Sequence, residues 1–471
     1  MKKNDIIEAE ITGMTLQGAG IARCGDGANI SDSGDSGMPV FLPAACTGDR
    51  VRAVIIKAKR NCAFGKVLAV LTPSPMRIDP GCAAFPRCGG CAFRHISYEA
   101  ELALKQKELA ETLRRIGGVQ PHMQPIIAAE HPDRYRNKAM LPLRCENNRV
   151  ETGFFARHSH RLIPCDDCLL APEAFAGLTR AVCEWAQASS CSIYDEETNR
   201  GLLRQIYLRQ NREGSEILVT LVINGNDVPQ KEQLIQALQK ENPAVKGILL
   251  NHNTVHGNTL LGPRCTPLGG AQQISETLCG LRFSLSPLSF FQVNPAQAER
   301  LYTVAAAYAN FGNFSKNRPL HLLDLYCGTG TVGLSVLNLH GTESAELIGV
   351  ESVPQAVEDA RRNAAANGFD NARFLCADAT EAAKQLAAEG WTPDVVLIDP
   401  PRKGCDAALL RHMAEMQPER IVYISCDPAT LARDLAILQE LGYAAREATP
   451  VDMFPRTGHV ETVVRLEREE S

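Results

Sequence analysis

The apolar positions of this chain fall into two textures. From about residue 286 onward, short apolar, often β-branched runs at 321–325, 347–350, 372–375, 394–398, 420–424 and 460–464 alternate with stretches of helical spacing. That pattern predicts a doubly wound α/β sheet whose strands are buried on both faces. Over residues 1–72 the segments 6–11, 20–23, 38–42, 49–57 and 62–70 are short, partly alternating and bounded by turn residues, which predicts a small β-barrel. Within it, 25–37 is rich in Gly, Ser and Asp and reads as a surface insertion. Helix formers with polar spacing over 97–116, ended by Gly117-Gly118, predict one long helix. Residues 119–285 read as mainly β, with helical patterns near 171–188 and 229–241. Three domains are expected: 1–72, 73–285 and 286–471.

Composition narrows the class. Charged residues make up 22% and hydrophobic ones 45% of the 471 residues, and no apolar run approaches the length that spans a bilayer. The first residues carry Lys2, Lys3, Asp5 and Glu8 with no apolar core, so a secretory signal is not expected. The 17 cysteines, odd in number and scattered, argue for a reducing cytoplasm and for metal or catalytic use. A net charge of −5 means that nucleic-acid contact must rest on local patches. Lys57, Lys59, Arg60 and Lys66 form one candidate, and Arg134-Tyr135-Arg136-Asn137-Lys138, which interleaves cations with a ring, forms another.

The candidate chemistry lies at strand ends. The run 420–424 leads into Ser425-Cys426-Asp427-Pro428, where Asp427 and Pro428 suit the cap and first turn of a helix. A thiol at a helix N-terminus is biased toward thiolate, although buried structural cysteines are common. The turn Tyr326-Cys327-Gly328-Thr329-Gly330 joins a strand to a helix opening at Thr331, and Glu351 ends the next strand, where a carboxylate meets ribose hydroxyls in nucleotide-binding units. Two glycines where a dinucleotide fingerprint has three favour a cofactor such as S-adenosylmethionine over NAD. Asp378 follows a further strand, Asp399-Pro400-Pro401-Arg402 makes a stiff loop, and Glu461 stands near the start of the last strand. Upstream, Cys82, Cys88 and Cys91 are spaced Cys-x5-Cys-x2-Cys, with Cys168 or Cys165 as a fourth thiolate. Thiolates select zinc or iron–sulfur clusters, and the spacing leaves the metal open.

Taken with Ser289-Phe290-Phe291-Gln292-Val293-Asn294 and His459-Val460-Glu461-Thr462, these motifs make the chain resemble the RNA uracil-5-methyltransferase family. The likeness is to its iron–sulfur branch acting on 23S ribosomal RNA. The resemblance implies a TRAM-like (OB-like) N-terminal barrel, a central mainly β domain with an iron–sulfur site, and a C-terminal Rossmann-like class I methyltransferase domain. It implies that Gln292, Tyr326, Thr331, Glu351, Asp378 and Asp399 contact S-adenosylmethionine. Cys426 would be the nucleophile and Glu461 the base, with Asp399 also at the uracil edge. Cys82, Cys88, Cys91 and Cys168 would hold a [4Fe-4S] cluster, and the helix after Cys91 would pack on the catalytic domain. The expected protein is a cytoplasmic monomer with an RNA partner and no membrane. The chain departs from the family pattern at Asp427, where asparagine is frequent, and in the insertion after Arg23. The alternatives are a transfer-RNA T-loop uridine as substrate and a non-catalytic RNA-binding or assembly protein. A radical methylthiotransferase would want Cys-x3-Cys-x2-Cys instead.

Overall fold

A computed structural model describes residues 1–24, 37–257, 259–311, 318–341 and 345–469. Of the insertion expected at 25–37, all but Gly37 lies outside the described residues. The chain divides into two compact units, one of residues 1–108, 154–165 and 454–459, the other of 109–153, 166–453 and 460–471.

In the first unit a six-stranded sheet runs in the order Ile6–Glu10, Arg50–Ala58, Ala63–Thr72, Met38–Pro43, Ala19–Cys24, Gly13–Met14. Alternation shapes it: Val51, Ala53 and Ile55 are fully buried while Arg50 and Arg52 point outward to Glu8. Ile7, Ile11, Val40 and Leu42 complete this core. Asp49 is wholly buried, and its carboxylate accepts from Cys46 N at 2.7 Å, Ser74 N at 2.9 Å and Arg77 Nε at 3.1 Å. The helix Tyr98–Thr112 starts in this unit, and its buried Glu101 and Lys105 pair at 2.7 Å. Glu101 also accepts from Arg456 N at 2.7 Å, while the Arg456 carbonyl accepts from Ala92 N at 2.7 Å and Phe93 N at 3.1 Å. The segment 454–459 is thereby anchored just before the chain reaches Glu461.

The second unit contains two large sheets. In the first, Lys138–Glu146, Leu203–Gln210, Ile217–Ile223, Val245–His252 and Arg264–Gly270 are successive neighbours. The other is eight-stranded, in the order Ala372–Cys376, Ala345–Glu351, Leu320–Leu325, Val395–Ile398, Arg420–Ser425, Glu461–Arg468, Tyr443–Val451, His122–Met123. Its first five strands are parallel and Glu461–Arg468 is reversed against Arg420–Ser425. The helices Pro295–Ala309, Thr331–His340, Pro354–Ala366, Ala379–Ala388, Ala407–Glu415 and Pro428–Glu440 belong to this unit. Leu109, Leu113 and Val119 join the core that holds Leu409, Leu431 and Leu435. Where one regular helix was expected through residue 116, the last turn, Leu113–Gly117, is a π-helix. A Cβ on Gly117 would lie 2.6 Å from the Ala432 carbonyl, so the wider turn ends in a close approach that only glycine permits.

Asp49→Ala strands two buried amide donors and a guanidinium, and should cost about 3 kcal/mol. Urea unfolding followed by signals from the N-terminal sheet checks this.

Candidate active site

The strand Arg420–Ser425 is completely buried, and Cys426 follows it. In the antiparallel register Ser425 is paired with Thr462, so one further step brings Cys426 opposite Glu461. On the other side Ile398 pairs with Tyr423, and Asp399 is the next residue. A thiol and two carboxylates, expected from the sequence to share one site, are therefore collected at one sheet edge.

The helix Pro428–Glu440 holds this edge together. Asp427 caps it, accepting from Ala429 N at 2.9 Å and Thr430 N at 3.0 Å. The charge that departs from the family pattern is thus committed to backbone donors. Two turns on, the wholly buried Asp434 accepts from the Tyr423 hydroxyl at 2.6 Å, Cys405 N at 2.8 Å and Arg433 Nε at 2.8 Å. Arg433 Nη2 donates to the carbonyls of Lys403 at 3.0 Å and Cys405 at 3.1 Å, and Thr430 Oγ1 to that of Arg402 at 3.3 Å. One helix thereby fixes the residue after Cys426 and the 402–405 end of the loop that begins at Asp399. Sequence reasoning did not single out Asp434 or Tyr423. The available signal was an acid inside the apolar stripe Leu431, Leu435, Leu438.

Burial sets the electrostatics. The Cys426 thiol is pushed up to about 11 by burial, then by the Glu461 and Asp399 carboxylates, with Arg402 opposing. The helix N-terminus does not produce the thiolate bias expected from position alone, because desolvation and two nearby acids outweigh it. Glu461 is raised to about 8 by burial and by Asp399, again opposed by Arg402, and burial raises Asp399 to about 7.

Beside this cluster lies a second group of called residues. Leu325 pairs with Val350 on one side and Ile398 on the other, so Glu351, Tyr326 and Asp399 stand level, one step past the paired residues. This is the topological switch point, where open α/β sheets bind ligands. The turn between Tyr326 and Thr331 is held open by positive φ at Tyr326 (63°), Gly328 (54°) and Gly330 (80°). Glu351 accepts from Gly328 N at 3.2 Å and Val353 N at 2.8 Å. Thr331 Oγ1 lies 3.5 Å from the Tyr302 hydroxyl, and Asn363 Nδ2 donates to the Thr329 carbonyl at 3.0 Å. Gln292 enters through its backbone: its carbonyl accepts from Asn137 Nδ2 at 3.2 Å, which ties the basic run at 134–138 to the site. Asp378 is exposed and caps Ala379–Ala388 through Thr380 N at 2.9 Å. Asp324 is a residue the sequence reading left without a role. It is buried, raised to about 8, accepts from Gly333 N at 2.9 Å through Oδ2, and has no donor on Oδ1.

The cysteine set is different. Cys82, Cys88 and Cys165 pack around Ala84, Ala156 and Ile163 in the first unit, which also contains Cys91, whereas Cys168 belongs to the second. Thiolates have the right chemistry for iron or zinc. Among the described residues, however, no group of three His, Cys, Asp or Glu side chains is gathered to hold a metal. The structure lends the cluster no support.

A model of the tRNA (uracil-5-)-methyltransferase family matches residues 280–469, the part that carries the site. An uncharacterized RNA methyltransferase of Halalkalibacterium halodurans is 39% identical over 99% of this chain and 98% of its own length. Another from Clostridium tetani is 38% identical over 99% and 97%. The chain belongs to the RNA uracil-5-methyltransferase family. Its fold matches that of the Pyrococcus abyssi tRNA (uracil-54, C5)-methyltransferase, solved with S-adenosyl-L-homocysteine, at a TM-score of 0.75, with 24% identity over 98% of this chain and 99% of the other. The arrangement gathers a thiol and two carboxylates beside the Tyr326–Thr331 turn along one sheet edge.

Because the Glu461 carboxylate raises the thiol, Glu461→Gln should speed alkylation of Cys426 by iodoacetamide at pH 9, while Arg402→Gln should slow it. Peptide-resolved mass spectrometry reads both rates. Asp434→Ala should lower stability by about 3 kcal/mol in urea, since it leaves a buried hydroxyl, an amide and a guanidinium without their acceptor.

Proposed function

We propose that this methyltransferase transfers a methyl group to carbon 5 of a uridine in 23S ribosomal RNA, with S-adenosylmethionine as donor. The observation that carries the reaction is the register that sets Cys426 against Glu461 beside the Tyr326–Thr331 turn. S-adenosylmethionine supplies an electrophilic methyl group, and Gln292, Tyr326, Thr331, Glu351, Asp378 and Asp399 are the residues proposed to hold it.

Carbon 5 of uracil is too weak a nucleophile unaided. Cys426, once deprotonated, bonds to carbon 6 and pushes an electron pair through the ring onto oxygen 4. Carbon 5 gains the density needed to take the methyl group. Glu461 as carboxylate then removes the proton from carbon 5, and the electron pair released expels the Cys426 thiolate and restores the double bond. Arg402 stabilises the thiolate before attack. Asp399, mostly ionised only above about 7, takes a hydrogen bond from the cofactor or the uracil edge. The target base must leave its stack, which costs a few kcal/mol and least in a loop.

The 23S assignment rests on the resemblance of the cysteine set to that of the ribosomal branch. We keep Cys82, Cys88, Cys91 and Cys168 as its proposed [4Fe-4S] ligands, with no catalytic step passing through a cluster. A uridine in transfer RNA is the second reading, favoured by the matched family's description and by the substrate of the fold neighbour.

Labelled methyl donor offered to unmodified 23S ribosomal RNA and to unmodified transfer RNA, with the product nucleotide mapped, decides between them. 5-Methyluridine in neither RNA would overturn the proposal. Cys426→Ala should abolish transfer, and Glu461→Gln should accumulate a protein–RNA adduct stable to denaturing electrophoresis. Glu461 works only as the carboxylate and Cys426 only as the thiolate, so single-turnover rates should rise with pH through about 8 and go on rising toward about 11. Iron and acid-labile sulfide measured on anaerobically isolated protein test the cluster, and their absence would remove it.

A further inference from the structure

Outside the catalytic edge, one arrangement works against the fold. In the antiparallel pair formed by Lys138–Glu146 and Leu203–Gln210, Lys138 stands directly opposite Arg209. Like charges in that position are destabilising. Neither has a carboxylate partner among the described residues. Arg209, only 2% exposed, donates to the carbonyls of Ser286 at 2.9 Å and Ser289 at 2.8 Å. Those contacts explain Arg209 and leave Lys138 unexplained. Burial, then Arg209 and Arg136, pull the Lys138 ammonium down to about 8.

The strand pattern shows which way this charge faces. Ala139, Leu141 and Leu143 are buried, whereas Lys138, Met140, Pro142 and Arg144 line a half-open face. Arg136, two residues before Lys138, adds a third cation. The loop gripped by Arg209 continues into Phe290, whose ring is 66% exposed, and then Gln292. A fold that keeps Lys138 on a half-open strand face, opposite a buried Arg209 already committed to two carbonyls and next to the loop that leads to Gln292, leaves that ammonium for an anion that arrives with the substrate.

We propose that Lys138, with the buried Arg209 opposite it, forms a subsite for one phosphate of the RNA strand near the flipped base. This rests on the RNA reading above. Phosphate contacts position a strand without reading its sequence, so the subsite sets register and leaves the choice of base to the pocket. The phosphate would cancel the repulsion that the free protein carries.

The test is binding of the full-length protein to an unmodified 23S ribosomal RNA fragment across a salt series, with melting temperature and S-adenosylmethionine affinity measured on the same samples. Lys138→Met should weaken RNA binding several-fold and make the logarithmic salt slope shallower by about 0.7–0.9. It should leave donor affinity unchanged and keep or raise the melting temperature, because it removes a repulsion. Lys138→Arg should restore the slope. An unchanged slope in Lys138→Met, or a loss of binding accompanied by a lower melting temperature, would overturn the subsite. 5-Methyluridine assayed in the same RNA separates the two readings: a shallower slope without any methylation by the unaltered protein sinks the reaction and keeps the subsite.

Discussion

The register of one reversed strand decides what the carboxyl edge can do. Glu461–Arg468 is buried on both faces over most of its length, so apolar alternation cannot choose its alignment. Two ion pairs do. Arg420 meets Glu467 at 3.3 Å and Arg465 meets Glu447 at 3.1 Å, and both are direct cross-strand partners. A slip of one residue would separate both pairs and set Val460 or Thr462 opposite Cys426. The charges near the far end of the strand therefore hold Glu461 in place. Within the first unit, Glu101 and Lys105 anchor the segment 454–459.

The same edge is costly to fold. An acid whose folded value is raised binds its proton more tightly in the native state. From the ordinary carboxylate range up to about 7 for Asp399 and about 8 for Glu461 and Asp324, stability falls as pH rises. Above those values the loss is complete. A catalytic end that weakens the fold at working pH needs a stiff frame, and the Asp434 network supplies one: its carboxylate is saturated with donors, whereas Asp324 keeps one oxygen without any. The contrast separates an acid used for structure from acids kept available.

Much of this was legible in the residues. The parallel strands and the glycine turn follow from short apolar runs ending at turn or polar residues; Tyr326, Glu351, Asp378, Asp399 and Cys426 lie where such runs stop, and Glu461 opens one. The strand Tyr443–Val451 was not legible, because Arg446, Glu447 and Pro450 break its apolar pattern and only pairing with Glu461–Arg468 makes it a strand. The two-residue strand His122–Met123 exists only by pairing with it in turn. Position at a helix N-terminus suggested a reactive thiolate, and the sequence held no measure of the burial that opposes it. Asp378, expected at the cofactor, also caps the helix that follows it, a use that the sequence reading did not foresee. The Lys138–Arg209 opposition was invisible for a simpler reason: the two residues are 71 positions apart, and only the register brings them face to face.

Unsatisfied charge of both signs thus sits in one unit, acids along the parallel sheet and cations across the neighbouring one. Neither set cancels the other, since among the described residues Lys138 and Arg209 have no carboxylate partner and Asp324 Oδ1 has no donor. Under the proposed reading each set awaits a ligand of opposite charge: a sulfonium donor carries a positive centre toward the acids, and an RNA strand carries phosphates toward the cations. Binding of one relieves a cost that the other does not touch, so the two ligands should add rather than compete. Free energy withheld from folding then becomes available to bring a charged cofactor and a charged polymer to one uracil ring, which is itself neutral and offers little to hold.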